Sequence, residues 1–379
     1  MKRFSLVYGS VAFVLLALAL PSCSPAPAAT PEGVELDEAP DFRVDPGWPH
    51  AFQENWILGA VTGIGVDSRG HVWVTHAPGL ATTSALGAAQ DPPVSTCCVP
   101  APSVLEFGPE GELVQSWEME GREDLTWPEV PHGLFVDHDD NVWIGSREPH
   151  QLFKFDREGG LLLTIGEEGV TQGSDAPDHL GRPSDVWVDP ETNEAFVADG
   201  YGNRRIVVYD GDTGEYLRHW GAYGDPPDDE YEHPDRGPDA EPSRQFGTVH
   251  GITGSRDGLI YVADRRNNRI QVFQQDGTFV DEVLVAAETL GSGTAFDVAL
   301  SADPEEEFLY LTDGTNHKIW ILRRADLEVL THFGRGGYQI GEFVRPHNMA
   351  TDGDGNIYVS EAASQRVQRF RMDGAPATQ

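Results

Sequence analysis

Short apolar runs alternate with polar turns along the chain, and one phrase of this pattern returns several times. Each copy is an apolar run that ends near a turn rich in Gly, Asn and Asp, and an aromatic and β-branched run follows it. The copies read VTGIGVD from Val61, PHGLFVD from Pro131, PSDVWVD from Pro183, VHGITGS from Val249, AFDVALS from Ala295 and PHNMATD from Pro346. Short runs without a helical period are typical of β-strands joined by hairpin turns. The pattern therefore predicts an all-β chain.

The repeat number suggests a closed ring of sheets. Six copies of a unit with room for four strands predict a six-bladed β-propeller, in which one strand of every blade lines a central channel. The last copy ends after a third strand, so its sheet is left with an open edge, and open edges invite aggregation. We expect residues 41–46, which precede the first copy, to supply the missing strand and close the ring.

One position of the phrase alternates in chemistry from blade to blade. In chain order its occupants are Thr62, His132, Ser184, His250, Phe296 and His347. Alternate blades lie about a third of a turn apart around the axis, so the three imidazoles are expected to meet at one level of the channel. Three histidines with a fourth position open form the ligand set of a catalytic zinc ion. The alternative is that each histidine is a structural residue whose hydrogen bonds are satisfied within its own blade.

The loops that follow the second strands bring further candidates to one end of the channel. Tyr201 and Arg265 occupy nearly corresponding places in adjacent blades. A guanidinium favours the phenolate form of a nearby tyrosine, so Tyr201 is a candidate general base, and Arg265 is a candidate anchor for a substrate carboxylate. Alternatively, Arg265 pairs with an acidic neighbour and Tyr201 packs on the rim.

These residues resemble a known family. The runs GLIYVADRRNNRIQVF and GNIYVSEAASQRVQRF resemble NHL repeats, and the chain from Pro131 onward resembles peptidyl-α-hydroxyglycine α-amidating lyase, most strongly over residues 183–273. The resemblance implies an NHL-type propeller that cleaves the C–N bond of an α-hydroxyglycine-type substrate, giving an amide and glyoxylate. It also implies functional residues, with His132, His250 and His347 as zinc ligands and Tyr201 and Arg265 as catalytic residues.

The chain departs from that family at several positions. Ala77 follows His76 where the family has an active-site arginine, and Arg147, in the equivalent loop of blade two, is a candidate replacement. His76 and Arg147 are therefore candidate substrate-binding residues. Asn348 stands where the family has an aspartate that binds structural calcium; an amide oxygen can still coordinate Ca²⁺. Gly202 replaces a disulfide cysteine.

Two other functions are compatible with the sequence. The first is a non-enzymatic NHL propeller that binds a protein or a glycan through its loops, with any metal serving structure; the alanine at position 77 favours it. The second is a metal-dependent hydrolase of lactones or esters. Such propellers commonly hold calcium with carboxylates and asparagine, so the set of three histidines counts against this alternative.

The N-terminal residues have the pattern of an export signal. Lys2 and Arg3 precede an apolar run that ends at Leu20, which is typical of a secretory signal and too short for a transmembrane helix. Leu-Pro-Ser before Cys23 resembles the bacterial lipoprotein box, in which Cys23 carries the lipid. We expect an exported protein, either a periplasmic or cell-surface lipoprotein or a secreted protein.

The predicted division of the chain is into three parts. They are a signal peptide with its lipoprotein box at 1–23, a tether rich in Pro and Ala at 24–40, and one propeller at 41–379. With 26 basic and 62 acidic residues the formal net charge is −36, which repels nucleic acids and anionic membranes. We therefore expect a small-molecule or peptide substrate, no nucleic-acid partner, and membrane contact through an N-terminal lipid anchor alone.

Two insertions interrupt the repeats, at residues 77–103 and 225–244. Long loops on a rigid ring usually frame a binding face, although the acidic second insertion is equally compatible with a solvated surface excursion. Cys97 and Cys98 are adjacent within the first insertion. A vicinal disulfide and two free thiols are both open at this point.

Overall fold

The computed structural model of the chain describes residues 39–52, 55–81, 87, 90, 92, 94–234 and 242–373. The signal segment, the lipidation site Cys23 and nearly all of the tether lie outside these residues, so the expectations for them stay predictions. Within the described ranges, no helix has the length and apolar character needed to cross a membrane.

Six sheets of four antiparallel strands each form the ring, and the blades are numbered here in chain order. Blade one comprises Ala60–Val66, Val72–Ala77, Val104–Phe107 and Leu113–Trp117, blade two Pro131–Val136, Val142–Ser146, Gln151–Phe155 and Leu161–Ile165, and blade three Asp185–Val188, Glu194–Asp199, Arg205–Asp210 and Tyr216–Trp220. Blade four comprises Val249–Gly254, Leu259–Asp264, Arg269–Gln274 and Phe279–Leu284, and blade five Ala295–Leu300, Phe308–Asp313, Lys318–Arg323 and Val329–Phe333. Blade six comprises Pro346–Thr351, Ile357–Glu361, Arg366–Met372 and the N-terminal strand Phe42–Val44.

The first strand of each blade packs against the first strand of the next, and that of blade six packs against that of blade one. The first strands therefore surround a central channel, and the prediction of an all-β six-bladed propeller is confirmed. Smaller elements are two-residue strands at Trp56–Ile57 and Val99–Pro100, which pair in parallel, and 3₁₀ turns at Pro78–Leu80, Ala222–Gly224 and Arg265–Asn267.

The N-terminal strand closes the ring as the sequence predicts. Phe42–Val44 lies antiparallel to Arg366–Met372, with Val44 opposite Phe370. Just beyond the strand, Asp45 Oδ2 accepts a hydrogen bond of 2.5 Å from Arg369 Nη2. The first and last strands of the propeller are thus joined by main-chain pairing and by a largely buried ion pair.

An arginine links blade two to blade one. Arg157, in the turn between the third and fourth strands of blade two, forms ion pairs with Asp67 and Glu106 of blade one, whose side chains are 0% and 1% exposed. His71 Nδ1 lies 2.6 Å from Glu106 Oε1 in the same cluster. Because Arg157 contacts both carboxylates, we interpret this group as a structural contact between blades.

The first insertion is attached to its blade through His76. The ring is buried, its Nδ1 accepts a hydrogen bond of 3.0 Å from the Gly59 N–H, and its Nε2 donates to the Pro102 carbonyl at 2.9 Å. Burial lowers the pKa of His76 to about 4, so the ring is neutral. Both nitrogens are engaged by the main chain, and substrate contact by His76 stays a prediction. Cys97 and Cys98 are bonded to each other, as in the first of the two alternatives.

Candidate active site

A β-bulge turns the alternating position of the phrase toward the channel. The pairing of the first with the second strand shifts register across His250 and His347 and directly after His132, and it also shifts across Thr62 and Phe296. A bulge adds an extra residue to one strand and redirects the side chains around it. The bulges therefore interrupt the alternation of the strand at or next to the three histidines, whose side chains point to the channel axis.

The structure brings the three histidines together. Their ring centroids are 5.0 Å apart for His132 and His250, and each lies 4.8 Å from the centroid of His347. One ring nitrogen from each lies within 4.8 Å of those of the other two. The residues are 1%, 0% and 4% exposed, respectively. The three rings thus face one another at one level, as the alternation along the sequence predicts.

In each of the three rings, Nδ1 contacts an oxygen atom outside the cluster, and this contact determines which ring nitrogen is left to bind a metal. Nδ1 lies 2.7 Å from the Ser184 carbonyl in His132, 2.6 Å from the Phe296 carbonyl in His250, and 2.6 Å from Asn348 Oδ1 in His347. A carbonyl oxygen only accepts, so each Nδ1 carries the proton and each Nε2 keeps a lone pair. This outer hydrogen bond is the usual support of a metal-binding histidine. The donor set fits a zinc ion.

Electrostatics keeps the three rings neutral. Burial lowers the pKa of His132 and His250 well below 6.5, and the charge of a neighbouring group adds to this effect, mainly that of His347 for His132 and that of Arg265 for His250. For His347, burial and the guanidiniums of Arg265, Arg345 and Arg147 lower the pKa to about 3. Neutral imidazole is the form that binds a metal. The site is therefore in its metal-binding protonation state at neutral pH.

Tyr201 and Arg265 meet beside the histidines. The Tyr201 hydroxyl oxygen lies 3.0 Å from His132 Nε2 and 2.9 Å from His250 Nε2. Arg265 Nη1 donates a hydrogen bond of 3.0 Å to the same oxygen. The acidic neighbour Asp264 pairs with Arg269 and not with Arg265. The two candidate catalytic side chains are thus in contact with each other and with the histidine cluster.

Buried aspartates hold the loops that carry Tyr201 and Arg265. At the end of the second strand of blade three, Asp199 accepts hydrogen bonds of 2.7 Å from Asn203 Nδ2 and 2.9 Å from Arg205 Nε. In blade four, Asp264 likewise accepts a hydrogen bond of 2.9 Å from Arg269 Nε. The repeated sequence, in which an arginine follows the aspartate by a few residues, therefore folds each loop into a fixed turn.

Two further predicted residues, Arg147 and Asn348, lie at the site. The Arg147 guanidinium lies 4.4 Å from the centroid of the Tyr201 ring. Asn348, expected as a calcium ligand, engages its Oδ1 with His347, and its Nδ2 lies 3.3 Å from Asp297 Oδ2. The structure thus uses the Asn348 amide to orient a histidine.

Sequence reasoning missed two aspartates in the channel. Asp185 and Asp297 follow the alternating position directly, and both are buried, with Ile252 N–H donating to the first at 3.1 Å and Met349 N–H to the second at 2.9 Å. Burial raises the pKa of both groups, that of Asp297 to about 7, and repulsion by Asp297 raises that of Asp185 further. Their recurrence at one phrase position was the available signal. Asn348 shares that position.

Arg345 is a third residue that sequence reasoning missed. Its guanidinium lies 5.6 Å from the centroid of the Phe296 ring, and its charge acts on His347. It precedes the first strand of blade six, directly before the PHNM phrase. Arg182 has the same place in blade three, so sequence position alone does not distinguish the two.

Comparison with known proteins agrees with this architecture. The NHL repeat family matches residues 246–273. The chain is a six-bladed β-propeller that contains an NHL repeat and resembles the amidating lyases. Peptidyl-glycine alpha-amidating monooxygenase B of Xenopus laevis is 31% identical over 253 residues, which are 64% of this chain and 26% of that protein. Peptidyl-alpha-hydroxyglycine alpha-amidating lyase 1 of Drosophila melanogaster is 30% identical over 264 residues, or 64% of this chain and 44% of that protein.

Two further proteins are similar to this chain. NHL repeat-containing protein 3 of Mus musculus is 26% identical over 353 residues, covering 88% of this chain and 85% of that protein. A solved streptogramin B lyase has a TM-score of 0.55 and 12% identity, with 88% of this chain and 98% of that chain covered. At that identity the likeness shows the fold alone. The relatives as a group indicate a lyase-like propeller.

Proposed function

We propose that this NHL propeller is a zinc-dependent lyase that cleaves the C–N bond of an α-hydroxyglycine-type substrate, giving an amide and glyoxylate. The observation that carries the proposal is the orientation of the three histidines. Each Nδ1 is bonded to an oxygen, and each Nε2 faces the common centre beside the Tyr201 hydroxyl. The relatives named as amidating lyases support the same reaction class.

The residues of this chain would divide the reaction between them. His132, His250 and His347 would hold a zinc ion, which would supply Lewis-acid stabilisation of negative charge on the carbinol oxygen. Tyr201 takes the proton of the carbinol hydroxyl, the carbon–oxygen double bond of glyoxylate forms, and the C–N bond breaks with its electron pair passing to nitrogen. The amide nitrogen then receives the proton from Tyr201, so the base is regenerated.

Arg265 has two tasks in this scheme. Its hydrogen bond to the Tyr201 oxygen would stabilise negative charge on that oxygen, which is the form in which the side chain acts as a base. Its Nε is buried and has no hydrogen-bond partner among the described residues. That donor is therefore available for the carboxylate that becomes part of glyoxylate.

Glyoxylate release from α-hydroxyhippurate, together with zinc analysis, tests the proposal. We expect about one zinc per chain and a loss of at least about 100-fold in kcat for Tyr201→Phe, because general-base catalysis is typically worth about 10²–10⁴. Tyr216→Phe is the matched control, since the Tyr216 hydroxyl lies 2.8 Å from His219 Nδ1, outside the site. Bound zinc without any turnover would contradict the lyase.

The second candidate is a non-enzymatic binding propeller with a structural metal. It is favoured by Ala77, which stands where the amidating lyases have an arginine, and by the long match to a relative named only for its NHL repeats. It predicts that zinc raises the unfolding temperature of the wild type and of Tyr201→Phe equally, with no glyoxylate from either.

We also propose that the protein acts after export. The support is the basic start, the short apolar run and the Cys23 box of the sequence. Labelling of the intact chain with a lipid precursor, and its loss in Cys23→Ala, tests the lipid anchor. Secretion of the wild-type protein without the lipid label would support export and exclude the lipid anchor.

A further inference from the structure

Guanidiniums and aromatic rings alternate around the histidine cluster. Tyr201 lies between Arg147 and Arg265, whose guanidinium carbons are 4.4 and 5.1 Å from its ring centroid. Phe296 lies between Arg265 and Arg345, at 5.0 and 5.6 Å. We call these five residues the arginine arc. Each cation lies against a ring face or edge, and such contacts hold a guanidinium in place while leaving its N–H groups available.

The arc belongs to blades two to six and is absent from blade one. The position in blade one that corresponds to Arg147 and Arg265 is occupied by Ala77, which is buried. The three cations of the arc, Arg147, Arg265 and Arg345, thus come from blades two, four and six.

Little negative charge compensates the arc, although acidic residues exceed basic ones by 36 in the sequence. Nε of Arg147 and Nε of Arg265 are both buried without a hydrogen-bond partner among the described residues. The only carboxylate paired with Arg147 in the described part of the chain is that of Glu148, at 3.9 Å and 51% exposed. Water screens such a pair strongly. The arc therefore carries unused donors and excess positive charge.

Arg345 differs from Arg182, an arginine at the same place in another blade, in having no carboxylate partner among the described residues. Arg182 and Arg345 hold the same place before a proline and a first strand, and both have a left-handed backbone, with φ of 64° and 58°. Arg182 Nε lies 3.3 Å from Glu148 Oε1. For Arg345 the described residues supply no such carboxylate, and the side chain is exposed at the mouth of the site above Phe296. The two arginines therefore differ in carboxylate pairing and not in backbone conformation, and an exposed cation without a carboxylate partner is placed to bind an anion.

We propose that the substrate is dianionic, with a second carboxylate on the acyl side of the amide that Arg345 binds. This inference rests on the proposed lyase function. Arg265, which contacts Tyr201, takes the carboxylate of the hydroxyglycine unit. Arg345 contacts the Phe296 ring and is exposed, whereas Arg265 contacts both that ring and Tyr201, so Arg345 is placed for a carboxylate at the far end of the acyl group. Arg147, stacked on Tyr201, adds positive charge between the cluster and solvent.

Binding of unreactive analogues tests the inference separately from turnover. N-succinylglycine is a dianion without the carbinol hydroxyl. The analogue whose succinyl carboxylate is replaced by a carboxamide is a monoanion of nearly the same shape. Calorimetric titration of the zinc-loaded protein is expected to give a Kd at least about 10-fold lower for the dianion, since a charge-assisted hydrogen bond is stronger than a neutral one. Arg345→Met should remove that difference.

Arg182→Met is the matched control, because Arg182 has the same backbone setting but a carboxylate partner outside the arc. It should leave the preference for the dianion unchanged. Equal affinity of the wild type for the two analogues would overturn the inference, as would a preference that survives Arg345→Met.

Turnover of the corresponding α-hydroxyglycines separates this inference from the lyase proposal. N-succinyl-α-hydroxyglycine should release glyoxylate with a KM at least about 10-fold lower than its carboxamide. Turnover of both compounds with equal KM and equal affinity would keep the lyase and overturn the dianion. Tight dianion binding without turnover of either compound would overturn the lyase and leave an anion-binding site.

Discussion

Nδ1 of His347 lies 2.6 Å from the side-chain oxygen of Asn348, whereas the other two histidines of the cluster use main-chain carbonyls for the same contact. This is the one outer hydrogen bond of the cluster that a side-chain substitution can remove. Asn348 is in turn held by its backbone, because its N–H donates a hydrogen bond of 3.0 Å to the Ser360 hydroxyl oxygen. The amide is therefore fixed on both sides.

Asn348→Ala is predicted to weaken zinc binding by about 10–100-fold, the usual effect of losing an outer contact of a metal ligand. Asn348→Asp keeps an acceptor and should bind zinc at least as tightly as the wild type. Competition with a chelator of known affinity measures both. Asn356→Ala is the control, since that amide bonds to Asp352 in a hairpin turn. Equal zinc affinity of Asn348→Ala and the wild type would contradict the role given to Asn348.

The ring and the histidine cluster could be predicted because they depend on periodicity. The phrase recurs once per blade, so the closed sixfold ring determines where its second position lies. Histidine occupies that position in alternate blades, as His132, His250 and His347, so the ring brings the three side chains together at one level of the channel. Closure by residues 41–46 follows from the missing strand alone.

The contacts between blades could not be predicted in the same way. Asn348 and His76 each find partners that depend on side-chain conformation and on chain segments from elsewhere, such as Gly59 and Pro102 for His76. Arg345 is exposed, and no periodic pattern selects it. The outer shell of the site is thus set by packing that a linear repeat does not encode.

The contact between blades one and two makes a stability prediction. Arg157→Met leaves Asp67 and Glu106 without their cation, and both side chains are almost fully buried. Removing one partner of a buried pair typically costs about 3–5 kcal/mol. We expect the free energy of unfolding in urea to fall by that order. Arg69→Met is the control, since the Arg69 side chain is 50% exposed and lies 4.0 Å from Asp67.

Partial rescue would confirm the physical cause. In Arg157→Met, the further change Glu106→Gln removes one uncompensated charge and should recover part of the lost stability. A double variant less stable than Arg157→Met would show that the cluster acts through packing and not through charge.

Ring closure is predicted to be sensitive to acid through Asp45. Burial alone would raise its pKa, but hydrogen bonds from Arg369, the Gly47 N–H and Arg371 lower it to about 2. Because the folded-state pKa is depressed, the stabilisation is complete above about pH 4 and is lost as the pH falls toward 2.

Asp45→Asn should therefore reduce the free energy of unfolding by about 1–2 kcal/mol at pH 7 and by less at pH 3. Urea unfolding at the two pH values, compared as differences from the wild type, measures this. Asp41→Asn is the control, because Asp41 is the residue directly before the closing strand. A difference that is the same at both pH values would rule out the ionised Asp45 carboxylate as the cause.

The buried aspartates of the channel are predicted to have the opposite pH dependence. Burial raises the pKa of Asp297 to about 7, and Asp185, whose pKa is also raised, faces it across the channel. A carboxyl group whose folded-state pKa is raised binds more protons in the folded than in the unfolded state. Its effect is therefore neutral below about pH 4 and becomes destabilising as the pH rises through 7.

In metal-free protein, Asp297→Asn should increase the free energy of unfolding at pH 8 by about 1–3 kcal/mol, with a much smaller change at pH 5. The amide keeps an oxygen that can accept the Met349 N–H, which bonds to Asp297 Oδ2 at 2.9 Å. Urea unfolding of the variant and the wild type at both pH values measures the difference. Added Ca²⁺ gives a second readout, because a cation bound by these carboxylates would stabilise the wild type at pH 8 more than the variant. A variant less stable than the wild type at pH 8 without metal would show that the Asp297 carboxylate is ionised and compensated in the folded protein.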